Sequence, residues 1–164
     1  MKRQYKLAAG LALCVLAVAL GGALLRERFA GPVPTLSAQE INAARAVGSA
    51  MPGNKPLLLV DVRSDREIAV SVIPGAISRA QYELAPERYA NYRIVPYCTV
   101  GYRSARYTRK LLKAGRDAAN FEASILGWVD AGLPLQTLSG EATNRVHTWS
   151  RAFSVPDAYV QVVN

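Results

Sequence analysis

Histidine and cysteine are the scarcest reactive side chains in this sequence: one His, His147, and two Cys, Cys14 and Cys98. Beyond residue 30 that leaves one thiol and one imidazole, too few to close a zinc site. No metal centre is expected, and no cofactor. Cys98 lacks a disulfide partner in its own part of the chain, which marks it as a candidate reactive thiol, open to oxidation. A pair with His147 of the hydrolase kind is the alternative use of that histidine; a surface position is the expected one. Acids are also in the minority, 12 against 20 Lys and Arg, for a net charge of +8. No stripe of basic residues interleaved with aromatics accompanies that charge, and no zinc-finger spacing. Half of the excess, Lys2, Arg3, Lys6, Arg26 and Arg28 against Glu27, flanks a hydrophobic segment. No nucleic-acid partner is expected.

That segment, Leu7 to Leu25, is 19 residues without a charge. As a helix it is about 28 Å long, close to the hydrocarbon thickness of a bilayer. Lys2, Arg3 and Lys6 in front of it favour an amino terminus left in the cytoplasm. Residues 1–25 are therefore expected to be a membrane anchor, with the domain on the exported side, periplasmic or extracellular. A cleaved signal peptide is the alternative, since Gly21-Gly22-Ala23 offers small residues for cleavage, and it gives a secreted domain. Cys14 resembles a lipoprotein acylation site, but Leu13 is too large for the preceding position, and Cys14 is read as a small apolar residue in the membrane. Residues 26–34, with Pro32 and Pro34, read as a tether.

The stretch VPYCTVGYRSARYTRKLLK, Val95 to Lys113, carries the chemistry. A short strand, Arg93 to Tyr97, delivers Cys98 into a tight turn with Gly101. A helix follows, with Ala105, Thr108, Leu111, Leu112 and Gly115 on one side and Arg103, Arg106, Lys110 and Lys113 on another. Strand, thiol, loop and helix start aim backbone N–H groups and the positive end of the helix dipole inward, a nest for an anion. A free Cys with a pKa near 8.5 is only about 3% thiolate at pH 7. Lowered to about 6.5, within reach of a helix N-terminus and neighbouring Arg, it is roughly 75% thiolate. From Cys98 through Arg116 there are six Lys or Arg and no acid, so the local field is expected to favour thiolate and to draw in an anionic substrate.

Elsewhere, Ser37 and Glu40 fit a capping box for a helix to about Val47, and Gly48 to Pro56 reads as a loop. Leu57 to Val62 is a continuous apolar run, the pattern of a buried parallel strand. Asp61 and Arg63 stand at its carboxyl end, either positioning the catalytic loop or forming a turn carboxylate and surface ion pair. Ile73 to Ala76 is a sharp corner, and Gln81 to Asn91 a short helix that Pro86 interrupts. Tyr82, Tyr89, Tyr92 and Trp128 are expected to pack. Ala118 to Phe121 is a strand, and Ser124 is expected to cap the next helix, which Gly132 and Pro134 end. The alternation predicts an α/β fold, a parallel sheet with helices on both faces, preceded by the N-terminal hydrophobic helix.

Four of these stretches resemble the single-domain rhodanese family in the family's order: CTVGYRS (Cys98 to Ser104), LLLVDVRSDREI (Leu57 to Ile68), IPGAIS (Ile73 to Ser78) and NFEASILGWVDAGLPL (Asn120 to Leu135). The resemblance places a rhodanese-like domain at 35–138 and leaves 139–164 as a C-terminal extension, apolar enough to pack on the domain. Where this family usually has Gly-His and Gly-Gly, the chain has Ser71-Val72 and Ala123-Ser124. Both departures are expected to bear on turns, away from the thiol.

The resemblance implies a sulfurtransferase that moves sulfane sulfur from a small anionic donor such as thiosulfate, through a Cys98 persulfide, to a thiol or cyanide. Thr99, Val100, Gly101, Tyr102, Arg103 and Ser104 then form the substrate loop, with Arg103 attracting the donor. Cysteine phosphatases and arsenate reductases, the rival chemistry, place five residues between Cys and Arg, against four here, and the tighter loop suits one sulfur atom better than a phosphoryl group. A non-catalytic, membrane-tethered binding module is the other alternative.

Overall fold

The computed structural model describes residues 32–46 and 55–163. The hydrophobic segment with Cys14, the tether up to Gly31, Val47 and most of the loop after it lie outside the described residues. Among the described residues no helix is long and apolar enough to cross a membrane. In chain order the elements are β1 (Thr35–Leu36), α1 (Ala38–Ala46), β2 (Leu57–Asp61), α2 (Asp65–Val70), β3 (Ile77–Ser78), α3 (Arg79–Leu84), a 3-10 turn (Pro86–Tyr89), β4 (Arg93–Tyr97), α4 (Tyr102–Lys113), β5 (Asn120–Phe121) and α5 (Ser124–Asp130). Four short strands follow: β6 (Leu135–Gln136), β7 (Ala142–Thr143), β8 (Arg145–His147) and β9 (Val160–Val162).

β2 lies between β3 and β4, all parallel. A bridge from Ile94 to Ala118 carries the sheet onto the chain entering β5, which pairs in parallel with β1. Successive side chains of a strand point to opposite faces, and the two cores divide on that rule. Leu59, Val95 and Tyr97 face one core with Ile41 of α1 and Ile125, Trp128 and Val129 of α5. Leu58, Val60, Ile94 and Cys98 face the other, with Tyr82 of α3 and Tyr107 and Leu111 of α4. Helices therefore cover both faces, and both faces of β2 are apolar because both are buried.

The Ser37–Glu40 capping box is present, with Glu40 N–H donating to Ser37 Oγ at 3.2 Å and Ser37 N–H to Glu40 Oε2 at 2.8 Å. Trp128 is fully buried, its indole N–H donating to Pro134 O at 2.9 Å and its ring edge-on to Phe121. Tyr82 stacks on Tyr89, which meets Tyr92 edge-on. Two expectations shift. The helix predicted from Gln81 starts at Arg79, because Ser78 and Gln81 form a second capping box, and it ends before Pro86. The buried face of α4 includes Thr108 and Leu111 of the predicted side, with Leu112 half-buried, but it is turned to take in Ser104 and Tyr107 as well; Tyr107 reaches Glu83 with its hydroxyl.

The C-terminal segment is part of this body. Val146 is fully buried in the first core, with Val155 and Tyr159 against it, and the Tyr159 hydroxyl donates to Leu133 O at 2.7 Å. β8 and β9 pair in parallel. His147, expected at the surface, is buried: it follows Val146 into the interior, where its Nδ1 accepts the Trp149 N–H at 3.1 Å.

Candidate active site

Cys98 follows the last residue of β4, is 1% exposed, and lines a cavity of about 260 Å³ together with Thr99, Val100, Tyr102, Arg103, Trp149 and Phe153. The loop above it is tied from beneath by α5. Ile125 N–H donates to Cys98 O at 3.1 Å and Leu126 N–H to Thr99 O at 3.3 Å. With those carbonyls turned toward α5, the next N–H groups are free to face the sulfur, and Gly101 N–H donates to Cys98 Sγ at 3.2 Å. Gly101 has φ +88°, and a Cβ there would stand 2.1 Å from Glu122 O, so only glycine fits this turn.

Burial pushes the Cys98 thiol up, but hydrogen bonds outweigh it and hold the thiol below its ordinary value. Those bonds come from the backbone N–H and hydroxyl of Ser104, the Val100 N–H and the Ser124 hydroxyl. Arg103 is coupled to Cys98 by charge, but its stronger partner is Glu67. The Arg103 guanidinium, 40% exposed, grips Glu67 with two bonds of 2.7 and 2.6 Å and also donates to Thr99 Oγ1 at 3.0 Å. Thr99 Oγ1 in turn donates to Glu67 Oε1 at 2.8 Å. Burial raises the Glu67 carboxyl, but Arg103, Ser64 and Thr99 together hold it well below the usual carboxylate range. Arg103 thus fixes the loop, its charge met by Glu67. The other predicted cations, Arg106, Lys110 and Lys113, line a basic groove with Arg79 and Arg109 that shares Tyr102 and Arg103 with the Cys98 cavity.

Asp61 and Arg63 form a buried pair rather than a surface one, bonded at 2.6 to 3.1 Å. Arg63 also donates to Ser71 O at 2.6 Å and lies over the Tyr97 ring. Neither bonds to loop residues 98–104; they brace the end of α2, the helix that carries Glu67. Nor do the hydrogen bonds of His147 reach Cys98: its Nδ1 is taken by Trp149, and its buried Nε2 meets no partner among the described residues.

Two functional residues escaped the sequence reading. Glu67 lay inside a quoted motif, and the Ser64-x-x-Glu67 spacing signalled a cap, which is present, but nothing local announced Arg103 as its partner. Ser124 was expected to cap α5. Instead it sits at φ +54° as the first helical residue, and its hydroxyl accepts the Cys98 N–H at 3.0 Å and lies 3.8 Å from Sγ. The Ala123-Ser124 departure therefore touches the thiol, contrary to expectation. A left-handed backbone explains why glycine is at ease at this position.

The family profile of the rhodanese-like domain matches residues 44–131. The chain belongs to the rhodanese-like domain family. It is 33% identical over 89 residues to a sulfurtransferase from Allochromatium vinosum, across 51% of this chain and 82% of that protein. It is 31% identical over 84 residues to the tRNA uridine(34) hydroxylase of Ruegeria pomeroyi, of whose length it spans only 28%, across 45% of its own. Among solved structures, the thiosulfate sulfurtransferase of Pseudomonas aeruginosa is similar with a TM-score of 0.54 and 28% identity, over 66% of this chain and 21% of that one. A possible tyrosine phosphatase of unknown function from Rhodopseudomonas palustris matches equally well, TM-score 0.54 and 27% identity, over 70% of this chain and 92% of that one.

Two outcomes are expected. Ser124→Ala and Ser124→Gly both remove the hydroxyl, so alkylation of Cys98 at pH 7 slows several-fold and its pH midpoint rises: thiolate is lost at a higher pH than in the parent. The Gly variant is the more stable of the two by about 1 kcal/mol, because it relieves the left-handed backbone. Glu67→Gln costs about 1–2 kcal/mol in urea unfolding at pH 7, less than breaking a wholly buried pair because Arg103 is partly solvated. A lowered carboxylate stabilises the fold above its unfolded pKa of about 4.3, and that gain fades as pH falls toward its folded pKa. The deficit of the variant therefore shrinks below pH ~4.

Proposed function

We propose that this protein is a sulfurtransferase that carries sulfane sulfur on Cys98, taking it from a donor such as thiosulfate and passing it to a thiol or cyanide. The Cys98 thiolate attacks the outer sulfur of the donor, the donor S–S bond breaks, and sulfite leaves with the bonding pair. The acceptor nucleophile then attacks the terminal sulfur of the persulfide and releases the Cys98 thiolate. One observation carries the reading: Sγ lies in a nest closed by the Gly101 N–H at 3.2 Å, on a loop with four residues between Cys98 and Arg103. The N–H groups of Thr99 to Ser104 are of the right kind to hold the persulfide anion. Arg103 organises that loop, and the groove of Arg106, Lys110 and Lys113 supplies long-range attraction for anions. The relatives named sulfurtransferases support the same chemistry.

Full-length protein treated with thiosulfate is expected to gain one sulfur atom by intact mass and to lose it to cyanide. Cys98→Ser gains none and transfers none. Undiminished transfer by that variant, or hydrolysis of an aryl phosphate without sulfur gain, rejects the proposal.

We also infer that Leu7 to Leu25 is a retained anchor holding the domain at 35–138, with its 139–164 extension, on the exported side. Support comes from its uncharged length and the three bases before it. The protein is then expected in the membrane fraction after an alkaline wash, at its full mass and open to external protease in spheroplasts. A soluble product trimmed near Ala23 points to a cleaved signal peptide instead.

A further inference from the structure

The cavity over Cys98 has two kinds of wall. Thr99, Val100, Tyr102 and Arg103 come from the active-site loop, but Trp149 and Phe153 come from the C-terminal segment, beyond the stretch that the family profile matches. Trp149 is 68% exposed and holds φ +65°. Both features are unfavourable: apolar surface is left in water, and an L residue sits in the left-handed region.

The surrounding bonds show what keeps it there. Trp149 N–H is held by His147 Nδ1, and Thr148 N–H by Val162 O at 3.1 Å. Thr148 Oγ1 donates to Ser150 O at 3.0 Å, and Phe153 N–H to the same oxygen at 3.3 Å. The Gln161 amide nitrogen, from β9, reaches Thr148 Oγ1, Ser150 O and Phe153 O together. Val146, just before this loop, is fully buried in the core. The loop is thus fastened to the body of the domain, and two aromatic rings stand fixed at the mouth of a nucleophile's pocket.

The charge at that mouth is equally specific. Among the described residues that line the cavity, Arg103 is the one cation, and Glu67 takes two of its guanidinium bonds. Inorganic thiosulfate is a dianion with no apolar part. An organic thiosulfonate carries one negative charge, at the end that reacts, and an apolar substituent at the other. Its charged end fits the loop N–H groups, and its substituent fits the Val100, Tyr102, Trp149 and Phe153 walls.

We propose that Trp149 and Phe153 make the Cys98 pocket selective for sulfane-sulfur donors that bear an apolar arm, organic thiosulfonates above inorganic thiosulfate. This rests on the sulfurtransferase reading. The step is the same displacement with a different leaving group: the Cys98 thiolate bonds to the terminal sulfur, the bond from that sulfur to the sulfonyl sulfur breaks, and a sulfinate leaves with the electron pair. A ring buried against these walls in the transition state raises kcat/KM for its own donor alone.

The test is the ratio of kcat/KM for benzenethiosulfonate to that for thiosulfate, with cyanide as acceptor and full-length protein. Trp149→Ala is expected to lower this ratio about tenfold, equivalent to about 1.4 kcal/mol. Phe153→Ala moves it the same way, and Trp149→Phe restores most of it. Trp149→Gly is the safeguard against misfolding, since glycine adopts φ +65° without strain, and it is expected to lose the ratio as the Ala variant does. A ratio unmoved in all three truncations, or equal losses on both donors, overturns the proposal while leaving sulfur transfer standing. Absence of sulfur gain at Cys98 from either donor overturns both.

Discussion

The hydrogen bond from Gly101 N–H to Cys98 Sγ is the contact on which the site depends, because the turn that makes it also stores the thiol's acidity. It forms only where the chain takes a left-handed step immediately before α4, and only with no side chain there, since Glu122 O occupies the space a Cβ needs. The same step starts α4 at Tyr102, which brings Ser104 round to the sulfur one turn later, its hydroxyl 3.7 Å away. From below, α5 holds the carbonyls of Cys98 and Thr99. Strand end, helix start and a second helix start thus converge on one atom. The sheet supplies the rigidity, because β4 is paired on both sides and buried on both faces.

Around this nest, charge is arranged to fix geometry more than to attract. Glu67 draws together Arg103 and Thr99, two members of the loop, and is itself held by Ser64 at the start of α2. Burying a carboxylate is favourable only with such a set of partners. The Asp61–Arg63 pair braces the far end of the same helix through Ser71 O. The loop is therefore positioned through α2, and the thiol's acidity comes from nearby N–H and O–H groups, whose orientation needs no further adjustment when a sulfur anion forms.

The C-terminal segment connects stability with chemistry. Val146 and Tyr159 are cemented into the core, and that attachment carries Trp149 and Phe153 to the cavity rim. A segment whose apolar content answers first to packing ends by shaping the walls around the nucleophile.

Much of this was legible in the one-dimensional pattern. An uninterrupted apolar run announces a strand buried on two faces, a Ser-x-x-Glu spacing announces a helix start, and Cys98 followed by Gly101, Arg103 and Ser104 announces a nucleophile in an N–H nest. These signals are local, set by side-chain periodicity and by the few residues a turn tolerates. The Arg103–Glu67 pair, the hydroxyl of Ser124 against Cys98, the burial of His147 and the arrival of Trp149 at the Cys98 cavity were decided only by the tertiary structure. Each joins residues 26 to 51 positions apart in sequence, or, for His147, depends on which face of a late strand meets the core. Pairings of that range follow from how helices and strands stack, and no local spacing encodes the partner.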